Sequence, residues 1–231
     1  MVTRRQILQS MTAVPFLTSC VATNQRDSKN YTPSGSPLRR VNVSEDRIIR
    51  SIAGLRPYRS KGFVVRAEQM NEKVIIHNYG HGGGGITLSW GTSHLARQLA
   101  TQTQHKRCAI LGCGAAGLSA ARLMQNAGWE VSIYAKDLPP NTTSNIAGGQ
   151  WSPTSVFDKN AVSPAFLTQF ESAMRHAYRY YQDLVGDEYG VRWISNYMIN
   201  NDAADPNSLY SRYKSMYPQQ FQLEPNKHPF N

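Results

Sequence analysis

A chain of 231 residues is long enough for one domain or one and a half, and its 40% apolar and 17% charged content is that of a globular protein, which excludes a disordered one. A net charge of +10 favours anionic ligands or surfaces. The basic residues are scattered, however, Arg4, Arg5, Arg39 and Arg40 among them. No stripe of Lys and Arg interleaved with aromatics forms, which argues against nucleic acid as a partner.

The chain opens with a targeting pattern. Thr3-Arg4-Arg5-Gln6-Ile7-Leu8 resembles a twin-arginine export signal and leads into the mildly apolar run from Met11 to Leu17. Leu17-Thr18-Ser19-Cys20 follows the pattern of a bacterial lipoprotein cleavage site, where the Cys20 thiol would carry the lipid. Residues 1–20 are therefore expected to be a signal. Residues 21–40, with Asn24, Ser28, Asn30, Ser34, Gly35, Ser36 and two prolines, read as a flexible tether. The expected location is the periplasm or outer cell surface, with a lipid anchor in the membrane. Such export carries folded proteins, which suits a protein that takes up its cofactor in the cytosol. A transmembrane helix is not expected, since no stretch approaches about 20 apolar residues.

Gly54-Leu55-Arg56-Pro57-Tyr58-Arg59 comes next, and then Ile76-His77-Asn78-Tyr79-Gly80-His81-Gly82-Gly83-Gly84-Gly85-Ile86-Thr87-Leu88-Ser89-Trp90-Gly91. The consecutive glycines 82–85 leave backbone bare for a flat ring. Ile86, Leu88, Trp90, Leu95 and Leu99 continue into a helix whose start points at that loop. His77 and His81 are four apart, but Asn78-Tyr79-Gly80 between them is not helical and no Cys or carboxylate cluster accompanies them. No metal is expected, and His81 reads as a residue that shapes the glycine loop. A polar linker covers Thr101 to Lys106.

Residues 107–136 carry the most specific local pattern. Cys108-Ala109-Ile110-Leu111 is a short apolar run, as a buried parallel strand requires. Gly112-Cys113-Gly114-Ala115-Ala116-Gly117 follows at once, then a helix over Leu118–Met124 closed by Gly128, then a strand with Val131, Ile133 and Tyr134. A GxGxxG set between strand and helix is the dinucleotide fingerprint. Its first glycine makes the turn, the second admits a pyrophosphate, and the third lets the helix approach the strand. The helix N-terminus then faces the phosphates with free N–H groups. The second strand should end in an acid, yet reads Tyr134-Ala135-Lys136-Asp137. Asp137 can hold the ribose one residue late, or Lys136 can pair with phosphate. A basic residue there also suits a 2′-phosphate and hence NADP. Cys108 and Cys113 sit five apart on strand and turn with diverging side chains, and both read as buried small residues rather than a disulfide.

After Leu138-Pro139-Pro140 the chain reads Asn141-Thr142-Thr143-Ser144-Asn145-Ile146-Ala147-Gly148-Gly149-Gln150-Trp151. This stretch, with the segments at 54–59 and 76–91, resembles the D-amino-acid oxidase family. The resemblance implies an α/β fold, a Rossmann-type FAD-binding domain followed by the beginning of an α+β substrate domain, and FAD rather than NADP. It implies that Gly112, Gly114, Ala115, Ala116 and Gly117 meet the pyrophosphate. Lys136, Asp137, Thr142, Thr143 and Ser144 would serve phosphate or ribose. Gly148, Gly149, Gln150 and the run Gly82, Gly83, Gly84, Gly85, Ile86 and Thr87 would surround the flavin. Arg56 would grip a substrate carboxylate with two prongs, beside Gly83, and Arg59 is a second candidate for that grip; an ordinary surface salt bridge is the competing role for Arg56. The implied reaction moves a hydride from the α-carbon of a D-amino acid to flavin N5, giving an imino acid that hydrolyses to the keto acid. Oxygen or a quinone would be the electron acceptor. No catalytic base is named, because such chemistry depends on positioning. Two alternatives stay open: a membrane-tethered FAD-binding or partner-binding protein without catalysis, and a related amine or glycine oxidase.

The order departs from that family, in which the arginine and glycine-rich signatures lie after the substrate domain rather than before the dinucleotide motif. Residues 41–165 are expected to form the FAD-binding domain, with the flavin segment at 41–100 and the dinucleotide motif at 107–151. Residues 166–231 would then be a helical segment and an incomplete substrate domain. Phe166, Phe170, Met174, Ala177 and Tyr181 form one stripe of an amphipathic helix from Phe166 to Leu184 that should cover the sheet. Trp193 to Tyr197 reads as a strand and Ser208 to Met216 as a helix, and the chain is expected to stop before its substrate domain is complete.

Overall fold

The structure, a computed structural model, describes residues 42–194. The signal, the tether, Cys20, the helix at Ser208–Met216 and most of the strand at Trp193–Tyr197 lie outside the described residues. Trp193 and Ile194 themselves are irregular.

An exposed segment with one 3-10 turn at Glu45–Arg47 leads into a hairpin of β1 (Val64–Met70) and β2 (Lys73–Tyr79). The strands are antiparallel, and Met70 pairs with Lys73 across a two-residue turn. Asn71 sits there at φ 53, a conformation its short amide tolerates. Gly82–Gly84 then form a 3-10 turn that runs straight into α1 (Gly85–Thr101). The polar linker follows, then β3 (Arg107–Leu111), α2 (Ala115–Asn126) and β4 (Glu130–Tyr134). β3 and β4 are parallel, in register from Arg107 against Glu130 to Leu111 against Tyr134, so the unit is one β-α-β crossover. Gly128, at φ 76, stops α2. A single helical turn, α3 (Thr143–Ile146), precedes α4 (Pro164–Asp183). Ser163 caps α4 by accepting the Phe166 N–H at 3.2 Å, and Pro164 fills the first position, where no N–H is needed.

α1 is the middle layer, packed between α2 and α4. Against α2 it presents small polar residues: Ser93 Oγ meets Ser119 Oγ at 2.8 Å, and Ser119 also donates to the Ser89 carbonyl at 3.1 Å. Against α4 it presents Gly91, where an added Cβ would overlap the Ala173 backbone. That bare position brings Leu88 onto Phe170, Ala173 and Met174, with Phe63, Val65, Ala96 and Val156 completing the core. Ala100, Met124 and Trp129 form a second cluster that joins α1 to the crossover.

Two expectations need correction. β3 is not a buried strand: Leu111 is 83% exposed and Ala109 is also exposed. Only two strands form this sheet among the described residues, and α2 covers one face. The other face, with Arg107, Ala109, Leu111, Ser132 and Tyr134, is open. Nor does α4 cover the sheet. Its buried stripe of Phe170, Ala173, Met174 and Ala177 docks on α1, and Gln169 Nε2 donates to the Val65 carbonyl of β1 at 3.2 Å. The stripe is built of small and large residues in alternation, which fits the Gly91 notch.

Candidate flavin site

The glycine turn after β3 has the geometry that its sequence demands. Gly112, at φ 103, donates to the Tyr134 carbonyl at 2.7 Å, so the turn stays tied to the end of β4. An added Cβ on Gly117 would overlap the Gly112 carbonyl, and the bare position lets α2 approach β3 closely. Gly114 caps α2 with no side chain of its own. The α2 N-terminus is met by Ser144 from α3, whose Oγ accepts the Ala115 N–H at 2.9 Å and stands 3.0 Å from where a Gly114 Cβ would be. Thr142 caps α3 and holds Asn145 Oδ1 at 2.8 Å. Thr143 is exposed beside it, Ala116 accepts from Ser93, and Lys136 and Asp137 follow β4 at the same end of the sheet. The Asp137 carbonyl is tied to the turn by buried Cys113, whose thiol donates at 2.9 Å.

α1 and α2 run in the same direction, because Ser93 meets Ala116 and Ser119 while Ala100 shares a cluster with Met124. Their N-termini therefore face the same end, and α1 begins roughly 10 Å beyond the start of α2 at 1.5 Å per residue. Residues 144–152 bridge the two starts. Ser144 touches α2, and Thr87 of α1 donates to the Ser152 carbonyl at 3.0 Å and receives the Ser152 N–H at 3.0 Å. The Gln150 carbonyl lies 3.5 Å from the same hydroxyl. Buried Thr87 thus presents its hydroxyl to the chain.

The glycine run has divided roles. Gly83 donates to the Ser155 carbonyl at 2.8 Å, a Gly82 Cβ would overlap that carbonyl, and a Gly84 Cβ would lie 2.8 Å from the Val156 side chain. Those three glycines admit residues 154–156. Gly85 differs: an added Cβ would meet nothing within 4 Å, and its helical φ −57 and ψ −47 suit any residue. Gly148 also faces open space, as do Gly112 and Gly149, the latter at φ 72. Packing gives no reason for glycine at Gly85 or Gly148. Bare backbone there would admit a flat ring, and the glycine turn at the start of α2 would admit a pyrophosphate, so these residues fit FAD.

Ile86 is fixed from the far side, its carbonyl accepting the Tyr181 hydroxyl at 2.8 Å. Tyr181 and the 152–156 segment escaped the sequence reading as site-shaping residues. Tyr181 reads there as one member of a core stripe, and nothing local announces Ser155 at φ 54. His81 is buried, accepts or donates at 2.8 Å with Thr92 Oγ1, and stacks on Phe63. Burial holds its pKa at about 4, so it is neutral at pH 7. His77 pairs with Glu68 at 3.0 Å instead.

Arg56 is exposed and pairs with no carboxylate among the described residues. Its neighbour Pro57 accepts the Gly82 N–H at 3.2 Å, which fixes the arginine segment against the glycine run. Arg59 is engaged otherwise: Nε donates to the Gly62 carbonyl at 3.2 Å and the guanidinium lies 5.5 Å from the Tyr79 ring centroid.

Comparison with known proteins agrees with this geometry. The family described as FAD dependent oxidoreductase (DAO) matches residues 107–226, just over half of the chain. A D-amino-acid oxidase of Streptomyces coelicolor is 36% identical over 62 residues, covering 27% of this chain and 19% of its own length. Another from Rubrobacter xylanophilus is 34% identical over 98 residues, covering 38% and 30%. D-aspartate oxidase 1 of Caenorhabditis elegans is 40% identical over 62 residues, covering 25% and 19%. The matched part is thus less than a third of each of these relatives. No solved structure matches. A β-α-β unit with the dinucleotide turn, a serine at its helix start and a family match over 107–226 make this chain a member of the DAO family of FAD-dependent oxidoreductases, with FAD as its cofactor.

Proposed function

We propose that this chain supplies the flavin-binding part of an oxidase or dehydrogenase acting on D-amino acids. The observation that carries the reading is the pair of bare positions where an added Cβ would meet nothing within 4 Å, Gly85 at the start of α1 and Gly148 in the segment that bridges the starts of α1 and α2. FAD, when bound, supplies the two-electron acceptor. The chain's own residues do the positioning. α2 and Ser144 would hold the pyrophosphate, while residues 148–150 and the start of α1 would hold the ring. The positive end of α1 favours negative charge on the ring edge that faces it. Arg56, which pairs with no carboxylate among the described residues, would grip the substrate carboxylate with both prongs. The D-amino-acid and D-aspartate oxidases among the relatives support the substrate class.

The test is the visible absorbance of the purified chain after FAD is added and free cofactor is removed by gel filtration. Flavin bands that stay with the protein, and that bleach when a D-amino acid is added without oxygen, are the expected result. Bands that elute entirely with the small molecules would overturn the assignment of the site.

A further inference from the structure

Away from the flavin site, the outer seam between α1 and α4 holds a second constellation. The helices are antiparallel there. Trp90 stacks on Tyr180 with ring centroids 4.0 Å apart, and one turn further along α1 His94 stacks on His176 at 3.8 Å. The row continues with Arg97, whose Nη2 lies 3.4 Å from His94 Nδ1. A guanidinium only donates, so His94 Nδ1 accepts and the neutral ring carries its proton on Nε2.

Two nitrogens of this cluster, Arg97 Nε and His176 Nε2, are buried and have no hydrogen-bond partner. Arg179 of α4 adds charge: with Arg97, and after burial itself, it pushes the His176 pKa down. His94 is held at about 4 by burial first and then by His176 and Arg97. Glu171 of α4 is taken by Arg175 at 2.7 Å. Neither Arg97 nor Arg179 has a carboxylate partner among the described residues. The seam therefore gathers two guanidiniums and two imidazoles with no counter-charge, and it leaves two buried nitrogens unmatched, an arrangement that is costly unless an acceptor comes from outside.

We propose that this seam binds an oxyanion, a carboxylate or phosphate group, at its partly exposed guanidinium and imidazole side chains, and that Arg97 and His176 turn to give it the two hydrogen bonds that the closed seam leaves unmade beside the stacked Trp90 and Tyr180. The anion supplies the charge that the histidines lack. Its binding draws a proton onto the pair and ties α1 to α4.

The test uses the full chain saturated with FAD, so that the start of α2 is filled. Inorganic phosphate and, separately, acetate are titrated at ionic strength fixed with chloride. The histidine ring signals are followed by NMR and assigned with His94→Gln and His176→Gln. The His94 and His176 signals should move saturably while those of His77 and His81 stay in place. The His176 pKa should rise by about one unit or more as an opposite charge arrives. Arg97→Lys keeps the charge but has no Nε–H, and should weaken the anion by about tenfold, the loss of one charge-assisted hydrogen bond. A response to phosphate alone assigns a phosphate group, one to acetate alone a carboxylate, and one to both the shared oxyanion chemistry. No saturable shift with either anion, or an equal response in the Arg97→Lys protein, would overturn the proposal.

Discussion

Gly85 and Gly91 lie six residues apart on one helix and are glycine for opposite reasons. At Gly85 the space is empty and the backbone helical, so the fold by itself would accept a side chain. Gly85→Ala should therefore raise the melting temperature of the FAD-free chain, since alanine is favoured over glycine in helices by roughly 0.5–1 kcal/mol. The same change should weaken FAD, because the methyl group enters the space assigned to the ring. Thermal melting and a flavin titration on one variant read both signs. A variant that gains stability and keeps full FAD affinity would remove Gly85 from the site. The dinucleotide glycines were legible in sequence because each has a local task in one short motif. The split within Gly82–Gly85 was not, since only the position of residues 154–156 tells a covered glycine from an open one.

α1 is the element on which the architecture turns, touching α2 through serines and α4 through a glycine notch. Gly91→Ala drives a Cβ into the Ala173 backbone, which cannot yield as the end of a flexible side chain can. Destabilisation of about 1–3 kcal/mol is expected, the usual result of overpacking, and denaturant unfolding measures it. The damage should reach the flavin end, because α4 holds the first turn of α1 through Tyr181 and the Ile86 carbonyl. The helices α1, α2 and α4 and the strands β3 and β4 were readable from apolar spacing and stop residues, whereas the β1–β2 hairpin was not. The partner of α4 was not. An amphipathic stripe states that a helix docks, and the shape of the facing surface decides where.

Across the whole molecule, one buried ring, His81, and one half-buried ring, His94, make stability depend on pH. His81 and His94 are both held at about 4, below the ordinary 6.5, with burial the first cause. The unfolded chain takes up protons near 6.5 and the folded chain resists until about 4, so stability is complete above 6.5 and falls between 6.5 and 4. Melting temperatures of the FAD-free chain at pH 7.5, 5.5 and 4.5 should decline in that order, and His81→Asn should flatten the slope. An unchanged melting temperature across that range would contradict the depressed pKa of both rings. At this scale the open face of the β3–β4 sheet is also informative. Parallel sheets persist with both faces covered, and the chain matches less than a third of each relative described above. The apolar run of β3 anticipated a buried strand because composition registers a strand's apolar content and not which neighbours cover it.

By itself the sequence determined the local units: the β-α-β crossover, the dinucleotide turn, the glycine run that leads into a helix, and the family from which FAD follows. Each depends on residues near one another in the chain, where conformational preference and spacing act directly. Tertiary structure alone decided that the starts of α1 and α2 face the same end with residues 144–152 between them, that Thr87 and three of the four glycines are occupied by the chain itself, and that Arg59 is engaged while Arg56 pairs with no carboxylate among the described residues. Those outcomes depend on contacts between residues up to about a hundred positions apart, such as Gln169 with Val65, and only the packed core brings such groups within hydrogen-bonding distance.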